Sequence, residues 1–312
     1  MAFTFKRAER MQLKLRLALI GPSGAGKTYS ALRLATGLTG GKARGKIALI
    51  DTENRRGEYY ADEFEYDTLN FEPPFAPERY VEAIHAAEEA GYEVVIIDSA
   101  SHEWMGPGGI LDIKDKMPGG NDYVKWGTLT PRHDAFIAAI VRCKAHVIVC
   151  LRGKDQYILE TNDKGKQAPK KVGVGAQQRD GLEYECTVAW LIDQDKHVAT
   201  ATKDNTHLFE GRYEVLTEAD GELLYDWAND GKAVPPPLSP AEREKYIGRR
   251  KRLLAERGIG RADYDGCIAG LIARGELAQA NGREWTAAEW EAALAALGSL
   301  DIPGQELEVH SA

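Results

Sequence analysis

One octet of the sequence matches the pattern GxxxxGK[ST] at every fixed position, and its members are Gly21, Pro22, Ser23, Gly24, Ala25, Gly26, Lys27 and Thr28. Glycines let such a loop wrap phosphate oxygens with backbone N–H groups, and the helix that follows adds a favourable dipole. The Lys27 ammonium can then reach the β- and γ-phosphates, while the Thr28 hydroxyl can bind Mg²⁺. The octet and the next residue, Tyr29, therefore predict a site for ATP and Mg²⁺. The motif does not indicate which process the energy of nucleotide hydrolysis drives.

A carboxylate follows the apolar run Val94-Val95-Ile96-Ile97. Asp98 comes directly after this run, and Ser99 is next. We expect Asp98 to end a parallel strand next to the P-loop strand. Because the carboxyl ends of such strands meet where phosphates bind, Asp98 is expected to supply the second protein oxygen for Mg²⁺. Ser99 would be a minor orienting contact. The alternative is an aspartate that ends a strand and caps the next turn.

Hydrolysis also needs a group that positions or deprotonates the attacking water. Two glutamates compete for that role: Glu53, which follows Asp51 and Thr52, and Glu103, five residues after Asp98. The residue pattern alone leaves both open. A solvated turn carboxylate is the alternative interpretation of Glu53.

Strand-like and helix-like segments alternate along the first half of the chain. Apolar runs predict strands over 13–20, 46–51, 93–98 and 146–151, and helical spacing predicts helices over 27–38, 77–90 and 131–144. This alternation implies crossover connections, and hence an α/β fold with a mostly parallel central sheet and helices on both faces. Two further apolar runs, 184–192 and 198–202, predict a hairpin that closes one edge of the sheet.

Changes in composition divide the chain into five segments. We assign 1–12 to an N-terminal arm, 13–232 to the α/β core, 233–240 to a proline-rich linker, 241–297 to a small helical domain and 298–312 to an acidic, disordered tail. The helical domain is expected to contain three or four short helices.

At the candidate site residues the chain resembles the RecA/RadA recombinase core. Asp51-Thr52-Glu53 looks like the DTE of the archaeal and eukaryotic recombinases, and Asp98-Ser99 looks like the DS that ends their Walker B strand. The resemblance implies a RecA-like P-loop NTPase fold and gives Glu53 the water-activating role, with Lys27 as the P-loop lysine. No glutamate follows Asp98 directly, which disfavours the standard AAA+ arrangement.

Three later segments are similar to a group of phage-encoded RecA-like ATPases: HVIVCLRGKDQY, KGKQAPKKVGVGAQQRDGLEYECTVAW and HVATATKDNT. The likeness covers about residues 13–212. Some members of that group are ATP-dependent single-strand annealing proteins of the Sak type. The resemblance implies a phage protein, located in the cytoplasm of a bacterial host, that binds single-stranded DNA and promotes annealing or recombination. A single-strand DNA-binding protein is a further expected partner.

The resemblance also implies a homo-oligomer, either a ring or a filament. Arg152 stands where RecA-type recombinases carry a glutamine that senses the γ-phosphate, so sensing is expected to fall to Arg152 or Lys154. Lys203 lies about where RecA-like filaments place a lysine against the γ-phosphate of the neighbouring subunit. Phe5-Lys6-Arg7-Ala8 fits the FxxA pattern with which recombinases dock onto an adjacent subunit. A surface lysine at a strand end is the alternative for Lys203.

A basic segment lies where RecA-like proteins place their second DNA-binding loop. Residues 152–181 hold seven lysines or arginines against four acidic residues, with glycines between them. We expect a flexible loop that neutralises phosphates of single-stranded DNA without reading bases. Its predicted DNA-binding residues are Lys154, Lys164, Lys166, Lys170, Lys171 and Arg179. A second basic cluster, 248–252, either follows a phosphate backbone or forms an exposed helix face.

Composition limits the remaining classes. The chain has 312 residues, 43% of them hydrophobic, and a net charge of −8, so any DNA contact must come from local basic patches. No apolar run reaches the ~20 residues needed to span a bilayer, and four scattered cysteines fit an intracellular protein. Two other P-loop functions stay open: a small-molecule kinase, in which 152–181 would be a lid over the acceptor, and a DNA-packaging or helicase-loading motor.

Overall fold

The computed structural model describes residues 7–40, 46–161, 167–233, 238–274, 276, 277, 282 and 285–300, with only the backbone given for 155–161 and 167–173. Contacts divide these residues into two compact units. Gln12–Asp230 forms the larger unit, and the described parts of 1–11 and 231–312 form the smaller one. Phe5, Lys164, Lys166 and the chain after 300 lie outside the described residues.

A mostly parallel sheet forms the centre of the larger unit. Its strands are β1 (Arg16–Gly21), β2 (Ile47–Asp51), β3 (Asp67–Asn70), β4 (Val94–Asp98), β5 (His146–Thr161), β6 (Gln167–Ala176), β7 (Val188–Ile192) and β8 (Ala199–Asp204). They are arranged in the order β3-β2-β4-β5-β1-β7-β8, with β6 paired to β5. Only the β5–β6 and β7–β8 pairs are antiparallel among these described strands. The predicted α/β fold is confirmed, and the predicted β7–β8 hairpin ends one edge of the sheet.

Helices cover both faces of this sheet. In the larger unit they are α1 (Lys27–Leu38), α2 (Pro77–Glu89), α3 (Ser101–Met105), α4 (Ile110–Lys116), α5 (Asp122–Arg142), α6 (Leu182–Glu185) and α7 (Glu218–Asn229), with a 3₁₀ turn at Arg56–Tyr60. Helices α1 and α7 pack on one face, and α2 and α5 pack on the other. Within the described ranges, no helix is long and apolar enough to cross a membrane.

Alternating residues of the central strands supply two separate cores. In β1, Leu17 and Leu19 pack on the side of α1 and α7, whereas Ala18 and Ile20 pack on the side of α2 and α5. A strand that is covered on both faces must be apolar throughout, which explains the uninterrupted run of β4. Polar residues are therefore concentrated at the carboxyl ends of these parallel strands, which is where α/β proteins bind ligands.

The basic segment 152–181 forms a β-hairpin over much of its length, which corrects our expectation of a flexible loop. Strand β5 continues from its predicted end at Leu151 to Thr161 and pairs with β6 in antiparallel register, with Lys154 opposite Gly175 and Ile158 opposite Lys170. Backbone pairing with a partner strand here prevails over the weak strand preference of a glycine-rich composition.

Helix α5 begins nine residues earlier than predicted, at Asp122 rather than at 131. The structure starts it at the Asn121 cap, whose side chain accepts a hydrogen bond from Val124 N. Pro131 lies inside the helix, and because proline has no backbone N–H it cannot donate the helical hydrogen bond to the carbonyl of Gly127. Gly127 is exposed.

Two smaller expectations were also wrong. The run predicted to enter the hairpin at Tyr184 becomes a strand only at Val188, because α6 occupies the residues before it. Asp98 was placed on a strand neighbouring the P-loop strand, but β5 lies between β1 and β4. Asp98 therefore approaches the P-loop from the second strand away.

The smaller unit contains α8 (Pro240–Glu256), α9 (Arg261–Ala273) and α10 (Ala287–Gly298). Trp285 and Trp290 lie at the centre of its core. The basic cluster 248–252 is partly committed to this unit's own packing: Arg249 pairs with Glu291 at 2.6 Å, and Arg250 lies over the Trp290 ring. Lys251 and Arg252 are exposed.

Candidate active site

The predicted phosphate-binding loop joins β1 to α1. Gly24 and Gly26 adopt φ values of +80° and +85°, a left-handed conformation that other residues rarely take, so the loop can turn sharply into the helix. The Lys27 ammonium donates hydrogen bonds to Gly21 O at 2.9 Å and Pro22 O at 2.8 Å. Its charge therefore lies over the loop, where phosphates would bind.

Thr28 and Asp98 come together although they are 70 residues apart. The Thr28 hydroxyl donates to Asp98 Oδ2 at 2.5 Å. Asp98 is 4% exposed, and burial raises the pKa of its carboxyl to about 6, although the Thr28 bond and Lys27 act in the opposite direction. A hydroxyl and a carboxylate side by side are the oxygen ligands that Mg²⁺ takes beside nucleotide phosphates, so both residues fit the predicted metal site.

A tight turn after β2 holds Glu53 in place. The Asp51 carboxylate accepts hydrogen bonds from Glu53 N at 2.6 Å and from Gly57 N at 2.8 Å. Asn54 and Arg55 both have positive φ values inside this turn, so the backbone reverses direction directly after Glu53. Asp51 was not among the predicted site residues, and its structural role here is to fix the backbone that carries Glu53.

Glu53 and Arg152 form a bidentate ion pair. Arg152 Nη2 lies 2.8 and 2.9 Å from the two carboxylate oxygens, and Nε lies 3.1 Å from Oε1. The Glu53 side chain is 18% exposed and that of Arg152 is 41% exposed. The sequence predicts separate roles for these two residues, as catalytic base and γ-phosphate sensor. The fold brings them together because β5 and β2 flank β4.

His102 belongs to the same network and was missed by the sequence argument. Its Nδ1 lies 2.6 Å from Thr52 Oγ1, and the same oxygen accepts a bond from Ser99 N at 2.7 Å. Burial lowers the pKa of His102, and the Arg152 charge lowers it further. A histidine separated from Thr52 by 50 residues gives no motif that could have revealed this contact.

Glu103, the competing base, lies elsewhere. Its side chain is completely buried and contacts His133 Nδ1 at 3.1 and 3.2 Å. Burial raises the pKa of the Glu103 carboxyl, against the lowering effect of His133. The residues that line the cavity over the P-loop do not include Glu103. Its surroundings fit a packing role for Glu103, whereas Glu53 lines the cavity over the P-loop.

A cavity of about 960 Å³ lies over the P-loop. It is lined by predicted residues from the P-loop, by Glu53, Asp98 and Arg152, and also by residues that the sequence argument did not select. The latter are Ser30, Arg56, Tyr59, Tyr60, Gly153, Gln177, Lys196, His197 and Val215. Tyr29 packs edge-on against Tyr60, with ring centroids 5.4 Å apart.

The remaining predicted residues that the structure describes are not among those lining this cavity. Lys203 donates to the carbonyl oxygen of Tyr184 at 2.5 Å, within its own chain. Arg179 donates to Thr130 Oγ1 at 3.2 Å and lies over the Trp126 ring. Lys154 is exposed where β5 leaves the core, and Lys170 and Lys171 lie on β6.

The fold and the site together define a P-loop ATPase of the AAA class. The sequence pattern of the AAA domain family AAA_24 matches residues 13–216. This match covers more than half of the chain, so the protein belongs to that family. The family accounts for ATP as the ligand, typically with Mg²⁺, and for ATPase activity. A search of curated proteins finds no match to the chain.

Proposed function

We propose that the protein is a RecA-like ATPase, similar to the phage Sak-type proteins, that binds single-stranded DNA and promotes strand annealing or recombination. The observation that carries this proposal is the course of β5. This strand presents Arg152 to the nucleotide cavity and, two residues later, carries Lys154 into the basic hairpin. A change at the γ-phosphate can therefore be transmitted to the hairpin through a single strand.

In the proposed reaction, Lys27 neutralises the β- and γ-phosphates, and Thr28 and Asp98 would hold Mg²⁺, which supplies charge stabilisation when bound. Glu53 accepts a proton from the attacking water. Arg152 holds the Glu53 carboxylate through Nε and Nη2, and we assign γ-phosphate sensing to the same guanidinium, as the sequence argument did. One residue would then link the presence of the γ-phosphate to the position of the base.

The DNA part of the proposal is supported by charge. The hairpin segment 152–181 carries a net charge of +3, from seven basic and four acidic residues, on a chain whose net charge is −8. Contacts to phosphate neutralise charge without reading sequence, which suits annealing of unrelated strands. Assembly into a ring or filament, with Lys203 acting on a neighbouring nucleotide, remains part of the proposal. Its support is the resemblance, since Lys203 bonds within its own chain here.

The first test is the rate of ATP hydrolysis with and without single-stranded DNA. We expect stimulation by DNA and release of phosphate. A rate that responds instead to a small acceptor, with transfer of phosphate to it, would identify a kinase and contradict the proposal.

The second test is the salt dependence of DNA binding. Replacing Lys170 and Lys171 by Ala should reduce the slope of log affinity against log salt by about 1.4, because each phosphate contact to a single strand contributes about 0.7. Fluorescence anisotropy of labelled oligonucleotides measures this slope. The matched control replaces the exposed Lys251 and Arg252 on α8, and we expect it to keep the wild-type slope. A reduced slope in the control alone would remove the hairpin from the DNA site.

A further inference from the structure

The turn between β7 and β8 lies directly against the P-loop. Gln194 Nε2 donates to Ser23 O at 3.1 Å, and a Cβ placed on Gly26 would lie 3.5 Å from His197 Nδ1. Lys196 and His197 both line the cavity over the P-loop. A second element therefore borders the nucleotide cavity, besides the strands that carry Asp98, Glu53 and Arg152.

This turn has a defined backbone. The Asp193 carboxylate accepts hydrogen bonds from three backbone N–H groups, those of Asp195 at 2.9 Å, Lys196 at 2.8 Å and Val198 at 3.2 Å. These bonds lower the pKa of Asp193. His197 has a φ of +57°, an uncommon conformation for a residue other than glycine, and it directs the chain back into β8. The positions of Lys196 and His197 are thus fixed by the turn.

Lys196 and His197 are exposed, and within the described residues neither side chain makes a hydrogen bond or an ion pair. Val215, which is 41% exposed, lines the same cavity and follows Glu214, whose carbonyl pairs with Ala199 N at the start of β8. The cavity therefore offers an unpaired ammonium, an imidazole and an apolar side chain at this turn. An anionic group would bind the ammonium, and a flat, partly apolar group joined to it would pack against the other two side chains.

The order of strands shows which end of a nucleotide this turn would meet. Thr28 contacts Asp98 on β4, and Glu53 pairs with Arg152 on β5, so the groups for Mg²⁺ and for water lie on the β5, β4 and β2 side of β1. The γ-phosphate must point to that side. The turn lies on the opposite side of β1, beyond β7. The α-phosphate and the nucleoside would lie there.

We propose that Lys196 and His197 bind the α-phosphate and nucleoside end of the nucleotide, the part that ATP and ADP share. The proposal rests on the ATP site described above and adds residues to it. The Lys196 ammonium contacts a phosphate oxygen, and the His197 ring packs beside Gly26 and the nucleoside. Because the contact does not involve the γ-phosphate, it holds the product as strongly as the substrate.

The test compares the affinities of variants for a non-hydrolysed ATP analogue and for ADP by isothermal titration calorimetry. Lys196→Ala should weaken both ligands by the same factor, roughly tenfold, which is the lower end of what a hydrogen bond to a charged group contributes. Lys196→Arg should restore most of the loss. His197→Asn, which tolerates the left-handed backbone, should weaken both ligands by a smaller equal factor. Lys144→Ala is the matched control, because this exposed lysine precedes the opposite end of β5.

Three results would overturn the proposal. A loss confined to the ATP analogue would place Lys196 at the γ-phosphate instead. Unchanged affinities in Lys196→Ala would remove the turn from the site. Failure of the wild-type chain to bind either nucleotide would reject the ATP site as a whole and this proposal with it, which is distinct from a failure seen in the variants alone.

Discussion

The segments that follow β2 and β4 carry the same kind of residue to very different places. Each strand ends in a buried aspartate, and each is followed within five residues by a glutamate, Glu53 or Glu103. Glu53 lines the nucleotide cavity and pairs with Arg152, whereas Glu103 is fully buried against His133. A glutamate that closely follows a strand of this sheet is therefore not always able to reach water.

The difference arises from the structure that follows each strand. After β2 the chain makes a turn that Asp51 fixes. This turn leaves the Glu53 side chain beyond the carboxyl end of β2, at the nucleotide cavity. After β4 the chain enters α3 almost at once, and this helix carries Glu103 under α5, where His133 lies. A catalytic base needs access to water, and only the first arrangement provides it.

Exchanging each glutamate for glutamine gives the largest expected difference. Glu53→Gln should keep ATP affinity and reduce hydrolysis by about 10²- to 10⁴-fold, because the amide keeps the shape of the side chain without its basicity. Glu103→Gln should leave hydrolysis within about threefold of wild type. Steady-state phosphate release, with nucleotide affinity measured in parallel, checks both. Equal losses in the two variants would abolish the distinction between them.

Variants of Arg152 test whether the ion pair between Glu53 and Arg152 contributes to hydrolysis. Arg152→Gln should lower hydrolysis by about 10- to 100-fold, because the base loses the two-pronged contact that sets its position. Arg152→Lys should recover little, since an ammonium cannot make the bidentate contact. The measurement is single-turnover hydrolysis at saturating ATP. Full activity in Arg152→Lys would mean that charge alone suffices.

The raised pKa of Asp98 predicts a stability change with pH. Since the folded-state pKa of about 6 exceeds the ordinary value of 3.8, the folded protein binds this proton more tightly. The stabilisation of the folded protein by this proton is complete below about pH 4 and is lost as the pH rises to about 6. Asp98→Asn should therefore be about 3 kcal/mol more stable than wild type at pH 7, and close to wild type at pH 4.

Urea denaturation without Mg²⁺ and nucleotide at both pH values measures this effect. The same difference in unfolding free energy at pH 4 and pH 7 would show that ionisation of Asp98 is not its cause. Adding Mg²⁺ and ATP should stabilise the wild type more than Asp98→Asn, because the carboxylate is then a ligand.

The smallest effect concerns the buried pair. His133→Phe removes the contact between His133 and the buried Glu103, and we expect a loss of about 1–3 kcal/mol in unfolding free energy. For a unit of this size that corresponds to a fall in Tm of roughly 2–4 °C per kcal/mol. Thermal melts followed by circular dichroism test this, with hydrolysis by the remaining folded protein as the control. A loss of hydrolysis without a fall in Tm would indicate a catalytic role for this pair.

The sequence predicted the parts of the molecule that local patterns determine. The octet at Gly21 to Thr28 forms the expected turn between a strand and a helix, and the apolar runs become β1, β2 and β4 within a few residues. These signals are local, because burial on both faces requires a continuous apolar run and the P-loop requires its glycines.

What the sequence could not give is the order of the strands. The contact between Glu53 and Arg152 joins residues 99 positions apart and exists because β5 lies beside β4. Lys196 and His197 reach the cavity because β7 follows β1 on the other side. The hairpin at 152–181 was missed for a related reason, since pairing between β5 and β6 is not visible in a glycine-rich composition.

The coupling between Glu53 and Arg152 is tested most directly by a double-mutant cycle on single-turnover hydrolysis, with Glu53→Gln, Arg152→Gln and the combination of both. If Arg152 acts by holding the base, replacing it should cost about 10- to 100-fold in the wild type but less than about threefold once Glu53 is glutamine. ADP affinity, measured for each variant, should stay close to wild type, because ADP lacks the γ-phosphate that we assign to Arg152. The same loss from Arg152→Gln in both backgrounds would show that the two residues act independently, and it would contradict the central claim that they form one catalytic unit.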